Sequence, residues 1–205
     1  MKNLRILTIT CLLGLLTIGY SQAQNLRSGV KGGLNVSNLY IDEADDENPR
    51  YGFNIGVFTQ LGDGAFVLQP ELNYTTKGTK TTYGGDFFDG EADFNLNYLE
   101  LPLLFTFKLG DGADIHIGPY AGYLVGSNFK SSDNFFSTDI DLDRDNFKNF
   151  DFGLSGGMAL NFDAISVGAR YNYGLTKIAE SQEAKDLLGS SKNSVAQLYV
   201  ALNLN

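Results

Sequence analysis

Past residue 24 the chain alternates hydrophobic and polar positions with a period of two, the mark of strands whose two faces meet different surroundings. Within 51–57, Tyr51, Phe53, Ile55 and Val57 share one face, against Gly52, Asn54 and Gly56. Segment 165–175 sets Ile165, Val167, Ala169, Tyr171, Tyr173 and Leu175 against Ser166, Gly168, Arg170, Asn172 and Gly174. Segment 95–109 places Leu99, Leu101, Leu103, Phe105, Phe107 and Leu109 opposite Glu100, Thr106 and Lys108. Segment 149–163 repeats the pattern, with Phe150, Phe152 and Leu154 opposite Asp151, Gly153 and Ser155. Eight such runs are predicted, at about 28–39, 51–61, 65–77, 95–109, 114–127, 149–162, 165–175 and 194–204.

The connections fall into two kinds. Gly62-Asp63-Gly64, Gly110-Asp111-Gly112-Ala113 and Asp163-Ala164 carry the chemistry of tight hairpin turns. Four others, at about 40–50, 78–94, 128–148 and 176–193, are long, and the two kinds alternate. The LGDGA motif at 61–65 recurs at 109–113, so hairpins repeat about every 50 residues. An even number of strands with short turns at one end and long loops at the other is the pattern of a transmembrane β-barrel. Lipid offers no hydrogen-bond partners, so a sheet survives there only by closing on itself. The expected fold is therefore all-β: an eight-stranded antiparallel up-and-down transmembrane barrel with periplasmic turns and extracellular loops.

Two other folds share the alternation. A soluble lipocalin-like barrel needs an apolar interior, yet the polar face here is Gly, Asn, Gln and Ser with Lys31, Glu71, Glu100, Lys108 and Arg170. A two-layer sandwich does not account for the alternating loop lengths, nor for aromatic residues gathered at two levels. Tyr51, Phe53, Tyr74, Phe150, Tyr171 and Tyr173 lie toward the long-loop end, and Phe66, Phe105, Phe107 and Phe162 toward the turn end. Pro70, Pro102 and Pro119 fall inside strands, where each removes a ladder donor, so bulges are expected beside them.

Composition sharpens this picture. The 205 residues include 24 Gly and 26 Phe plus Tyr, which suits strands better than helices. No stretch past residue 24 is apolar enough for a membrane helix. Residues 1–23 read as a signal peptide, with Lys2 and Arg5, an apolar stretch over 6–20 and small residues up to Ala23; 24–205 is the barrel domain. Cys11 lies inside the apolar stretch behind Thr10, which argues against a lipoprotein site. Removing 1–23 leaves 13 basic side chains against 24 acidic ones, formally -11, so no nucleic-acid partner is expected. Seventeen of the 24 acidic residues fall in the four long connections.

Several segments together resemble the porin-like outer-membrane β-barrel family abundant in Bacteroidetes, sometimes called PorT-like. They are VKGGLNVS at 30–37, LQPELNY at 68–74, YLELPLL at 98–104, GPYAG at 118–122, DFG at 151–153 and RYNYGL at 170–175. The resemblance implies an outer-membrane barrel, with some relatives linked to protein secretion. The end of the chain, Leu202 to Asn205, departs from the aromatic finish usual for such strands.

Candidate chemistry is sparse. His116 is the sole histidine, expected to point inward beside Asp114, and no Gly-x-Ser-x-Gly elbow accompanies it. Glu71 and Glu100 on neighbouring strands have the form of an acid/base pair. The simpler expectation is a polar network filling the lumen with Lys31, Lys108 and Arg170, because charges inside a narrow barrel must be paired. Asp139, Asp141, Asp143 and Asp145 alternate like the start of a calcium loop, but Asn146 and Phe152 stand where that loop needs Gly and Glu. At most weak cation binding is expected of them. No resident metal or cofactor is expected, and no catalysis. The expected partners are outer-membrane lipid and lipopolysaccharide, with an envelope or extracellular protein at the loops, and the barrel is expected to be a monomer. A narrow porin, a secretion-associated barrel and a lipocalin-like binder are the alternatives.

Overall fold

The computed structural model describes residues 27–40, 48–85, 88–133, 137–141, 148–177 and 192–204. They form one antiparallel sheet of nine strands: β1 (Arg27–Tyr40), β2 (Asn48–Gln60), β3 (Phe66–Gly85), β4 (Phe88–Lys108), β5 (Ala113–Asp133), β6 (Ser137–Asp141), β7 (Phe150–Phe162), β8 (Ile165–Lys177) and β9 (Lys192–Asn203). Eight of them make the barrel wall. Neighbours in sequence pair in turn, β5 pairs with β7, and β9 returns to β1 in a register running from Gly29↔Asn203 to Tyr40↔Lys192. That last ladder removes the sheet edges, as a wall in lipid requires.

The three tight turns lie at one end. Gly62 (φ 114°) and Gly110 (φ 70°) take left-handed conformations, and Asp163 (φ 47°) does the same at the two-residue corner. Arg27 reaches across from the start of β1 to donate to the Asp163 carbonyl at 3.1 Å.

The alternation maps onto two environments. Leu34, Phe53, Ile55, Phe105, Ile117, Leu154, Met158, Val167 and Leu198 face outward and are exposed. Their neighbours Asn35, Asn54, Thr106, His116, Ser155, Ser166 and Gln197 are buried inside. An apolar exterior around a polar interior is the inverse of a soluble ligand-binding barrel and suits hydrocarbon outside. Aromatic pairs stand at both ends of the outer wall: Phe66 and Phe107 at 4.7 Å near the turns, Tyr123 and Phe150 at 5.3 Å near the opposite rim.

Three expectations are corrected. The connection expected at 78–94 is mostly strand, because β3 and β4 stay paired up to Gly85↔Phe88. The connection expected at 128–148 likewise holds the end of β5 and a ninth strand, β6, paired with β5 above the wall. Polar sequences there hid the strands, since without a lipid face the alternation fades. The bulges expected at the prolines are also absent. Pairing of β3 with β4 skips two residues after Pro70 and resumes in the same register, and β4 with β5 does so between Pro102 and Phe105. The second gap also spans Pro119, so two missing donors share one interruption and no strand slips. Register shifts occur instead toward the long-loop end, between Pro49 and Asn54, Asn97 and Tyr98, and Tyr173 and Lys177.

Candidate functional site

Among the described residues the lumen holds two ionic clusters, both built because every second residue of a strand must point inward. The one nearer the turns centres on Glu71 of β3. Arg170 of β8 donates through Nη1 to Glu71 Oε2 at 2.7 Å and through Nη2 to Oε1 at 2.8 Å. Lys31 of β1 donates to Oε2 at 2.7 Å, Asn73 to Oε2 at 2.9 Å and Gln69 to Oε1 at 2.8 Å. The Tyr199 ring lies 4.7 Å from Lys31 Nζ and 5.4 Å from the Arg170 guanidinium carbon, so both cations also rest against an aromatic face.

His116 joins this cluster. Its Nε2 accepts from Arg170 Nε at 3.2 Å, which leaves Nδ1 as the protonated nitrogen facing Asp114 at 3.4 Å. Asp114 also accepts from Asn161 at 3.1 Å. Both imidazole nitrogens are therefore engaged within the lumen.

The second cluster lies nearer the long-loop end. Lys77 of β3 pairs with Glu100 of β4 and, at 3.0 Å, with Asp151 of β7. Asp151 Oδ2 also accepts from Tyr120 at 3.2 Å and from Asn193 at 2.8 Å. Tyr98 and Tyr120 flank the ammonium, at 5.0 and 4.6 Å from ring centre to Nζ. Between the clusters Asn35 donates to Thr75 at 2.8 Å, and its oxygen accepts from Asn54 at 2.6 Å and Gln197 at 3.2 Å. Side chains from most of the wall thus meet on the barrel axis.

The structure divides the expected network. Lys31, Glu71 and Arg170 come together, while Glu100 belongs to the other cluster through Lys77. Lys108 joins neither: it is half-buried at the turn end, opposite Asp114 in the register. Lys77 and Asp151, absent from the expected set, were legible in principle. Extending the inward positions 69, 71, 73 and 75 by one step reaches Lys77, and Asp151 lies on the polar face of its strand. Asp139 and Asp141 lie on β6, opposite Lys130 and Asn128 of β5, and Asp143 and Asp145 fall outside the described residues. A strand in place of the first half of the loop does not match a calcium loop. Among the described residues no three acidic, histidine or cysteine side chains are grouped for a metal.

Glu71 accepts five hydrogen bonds on two oxygens, which leaves it little capacity to act as a base. A cavity of about 20 Å³ at the turn end, lined by Lys31, Gln60, Gln69, Asp114 and Tyr199, has room for about one water.

Comparison with known proteins agrees with this geometry. The family model described as outer membrane protein beta-barrel domain matches residues 22–180. The chain belongs to this family. As a member of the outer-membrane β-barrel domain family it is an integral outer-membrane protein. Its fold is similar to that of Ail, the attachment invasion locus protein of Yersinia pestis, solved in complex with the heparin analogue sucrose octasulfate. The two share 14% identity with a TM-score of 0.51, covering 88% of this chain and 100% of that one. Neisserial surface protein A aligns over 87% of this chain and 97% of its own, at 12% identity and a TM-score of 0.48. No curated protein matches the sequence. Residues 1–23, read as a signal peptide, lie outside the described residues.

Proposed function

We propose that this family member is a closed, non-enzymatic barrel that anchors acidic surface loops at the bacterial cell exterior, of the PorT-like kind found in Bacteroidetes. The observation that carries this reading is the pair of clusters crossing the bore, Arg170 with Glu71 and Lys77 with Asp151. Eight strands enclose an interior that side chains can fill, and here ionic groups from β1, β3, β4, β7 and β8 fill it. The lumen is spent on holding the wall, so function falls to the loops. The signal sequence at 1–23 directs export, and the tight turns face the periplasm.

The loops select a partner by charge. Ail is described in complex with a sulfated heparin analogue. The long-loop end of this chain, counting the paired extensions of β3 to β6, holds seventeen of its 24 acidic residues, so it favours a cationic protein surface or divalent ions and disfavours a polyanion. The barrel works as a monomer in this reading, because its wall has no open edge.

Membrane fractionation with surface labelling tests the proposal. An epitope tag placed within 42–47 is expected to be reached by antibody on intact cells, with the protein in the outer-membrane fraction. Recovery from the soluble periplasm, or a tag reached only after lysis, would contradict it. Loss of a cationic partner when the loop acids are changed to amides is the expected result of a pull-down.

A further inference from the structure

The two lumenal clusters differ in how their carboxylates are met. Glu71 has both oxygens covered, Oε2 by Arg170, Lys31 and Asn73, and Oε1 by Arg170 and Gln69. Asp151 has only one covered. Lys77 at 3.0 Å, Tyr120 at 3.2 Å and Asn193 at 2.8 Å all donate to its Oδ2, while the buried Oδ1 accepts from no protein group. Asn193 gives its amide nitrogen to that carboxylate, and its own Oδ1 is likewise buried and unmatched. Asp151 is 2% exposed and Asn193 1%, so bulk solvent reaches neither. Two unmatched acceptors on touching side chains are costly to bury, and they call for a donor or a cation.

Charge decides between the two. Among the described residues the buried ionised groups are Lys31, Lys77 and Arg170 against Glu71, Glu100, Asp114 and Asp151. His116 adds no charge, because its Nε2 accepts from Arg170. Near the turns Lys31 and Arg170 balance Glu71 and Asp114, and Lys108 is half-buried at that same end. Toward the long loops Lys77 alone faces both Glu100 and Asp151. That cluster is one positive charge short, which a water molecule does not supply. The backbone leaves space beside it. Glu100 lies opposite Gly122 of β5, and Gly122 lies opposite Asp151 of β7, so a residue without a side chain separates the two acids. A Cβ at Gly122 would stand 3.5 Å from Glu100 Cγ and 3.6 Å from Asp151 Cβ, so there is room for a methyl group between the two stems.

We infer that Asp151 Oδ1 and Asn193 Oδ1 hold an alkali cation, sodium or potassium, inside the barrel. Carboxylate and amide oxygens are hard donors that suit such an ion. A single charge is what the cluster lacks. A divalent ion would overshoot it, and no group of three acidic side chains is present among the described residues to hold one. Lys77 occupies the Oδ2 side of Asp151, so the cation takes the Oδ1 side, away from the ammonium. The ion completes the plug toward the long loops as the Arg170 fork completes it toward the turns. This site uses the lumen alone and stands whether or not the loops act as proposed above.

Urea unfolding of the refolded full chain in uncharged detergent tests the site, in sodium, potassium or choline chloride at equal ionic strength. At about 0.2 M salt the unfolding constant is expected to be about tenfold smaller in sodium or potassium than in choline, as for a ligand at about ten times its dissociation constant. Asp151→Asn and Glu100→Gln each remove the excess charge, and each is expected to unfold alike in all three salts. Gly156→Ala on the outer wall should keep the full response. The heat-dependent gel shift confirms that each variant is folded, and either lumenal variant alone suffices if the other does not refold. Equal unfolding of the wild type in choline and potassium, or an undiminished cation response in the lumenal variants, would overturn the site. Stabilisation on acidification in place of a cation response would assign the missing charge to a proton and overturn it as well.

Discussion

Arg170 of β8 holds Glu71 of β3 through two parallel hydrogen bonds, 2.7 and 2.8 Å long, across the bore of the barrel. The strands are far apart in sequence and not adjacent in the sheet, so the pair ties opposite parts of the wall together. Planar guanidinium matches planar carboxylate, and neither group meets solvent.

Breaking that pair leaves Glu71 short of two donors in a buried site. Arg170→Ala is expected to cost about 3–5 kcal/mol of barrel stability, as removal of one partner from a buried pair does. Arg170→Lys should fall between, because one ammonium cannot replace the fork or reach His116. Urea unfolding followed by the heat-dependent gel shift measures both; an Arg170→Ala barrel as stable as the wild type would show that the pair is incidental.

Lys77 is the shared cation of the second cluster, so its loss leaves Glu100 and Asp151 buried together without it. Lys77→Met is expected to be more damaging than the triple change Lys77→Met/Glu100→Gln/Asp151→Asn, which removes the stranded charges as well. The same unfolding assay reads the difference, and a triple variant weaker than the single by the sum of the separate costs would mean the three residues do not act together.

Gly168 allows the ring of Tyr199 to come close against its backbone. A Cβ built there would stand 2.3 Å from the ring's Cζ, and that ring supports both Lys31 and Arg170. Gly168→Ala is expected to cost about 1–3 kcal/mol by overpacking, while Gly156→Ala, whose Cβ meets nothing within 4 Å, should be nearly silent. Equal effects at the two positions would contradict the close approach.

The outer wall gives a depth test. Met158 is exposed midway along β7 and Phe150 is exposed at its long-loop end. Met158→Arg is expected to destabilise the barrel in lipid by about 2–4 kcal/mol and Phe150→Arg by much less, since the cost of a charge falls toward the interface. A similar penalty at both sites would place the belt elsewhere.

How far the sequence revealed these features depended on how strongly each environment constrains its residues. Between the aromatic levels every outward position meets hydrocarbon, so Tyr51, Phe53, Ile55 and Val57 announce both strand and face. Beyond the belt that constraint ends, so the paired extensions of β3, β4 and β5 with β6 look like loops in the sequence. The prolines misled for a related reason. A missing donor was expected to force a bulge, but Pro102 and Pro119 share one skipped stretch of the β4–β5 ladder without slipping it. In the lumen, the alternation puts Lys31, Glu71, Glu100, Lys108 and Arg170 on one face, and the structure buries all of them but the half-buried Lys108. The alternation does not show which partners meet, because that depends on strand stagger: Glu100 meets Lys77 of β3, and Asp151 reaches the same lysine from across the bore.

The most direct test of a filled, closed barrel is the conductance of the refolded full chain in a planar lipid bilayer. The two lumenal clusters predict a silent bilayer, with no steady unitary steps at neutral pH. Stable, well-resolved channels from the wild-type protein would show an open bore and contradict the account.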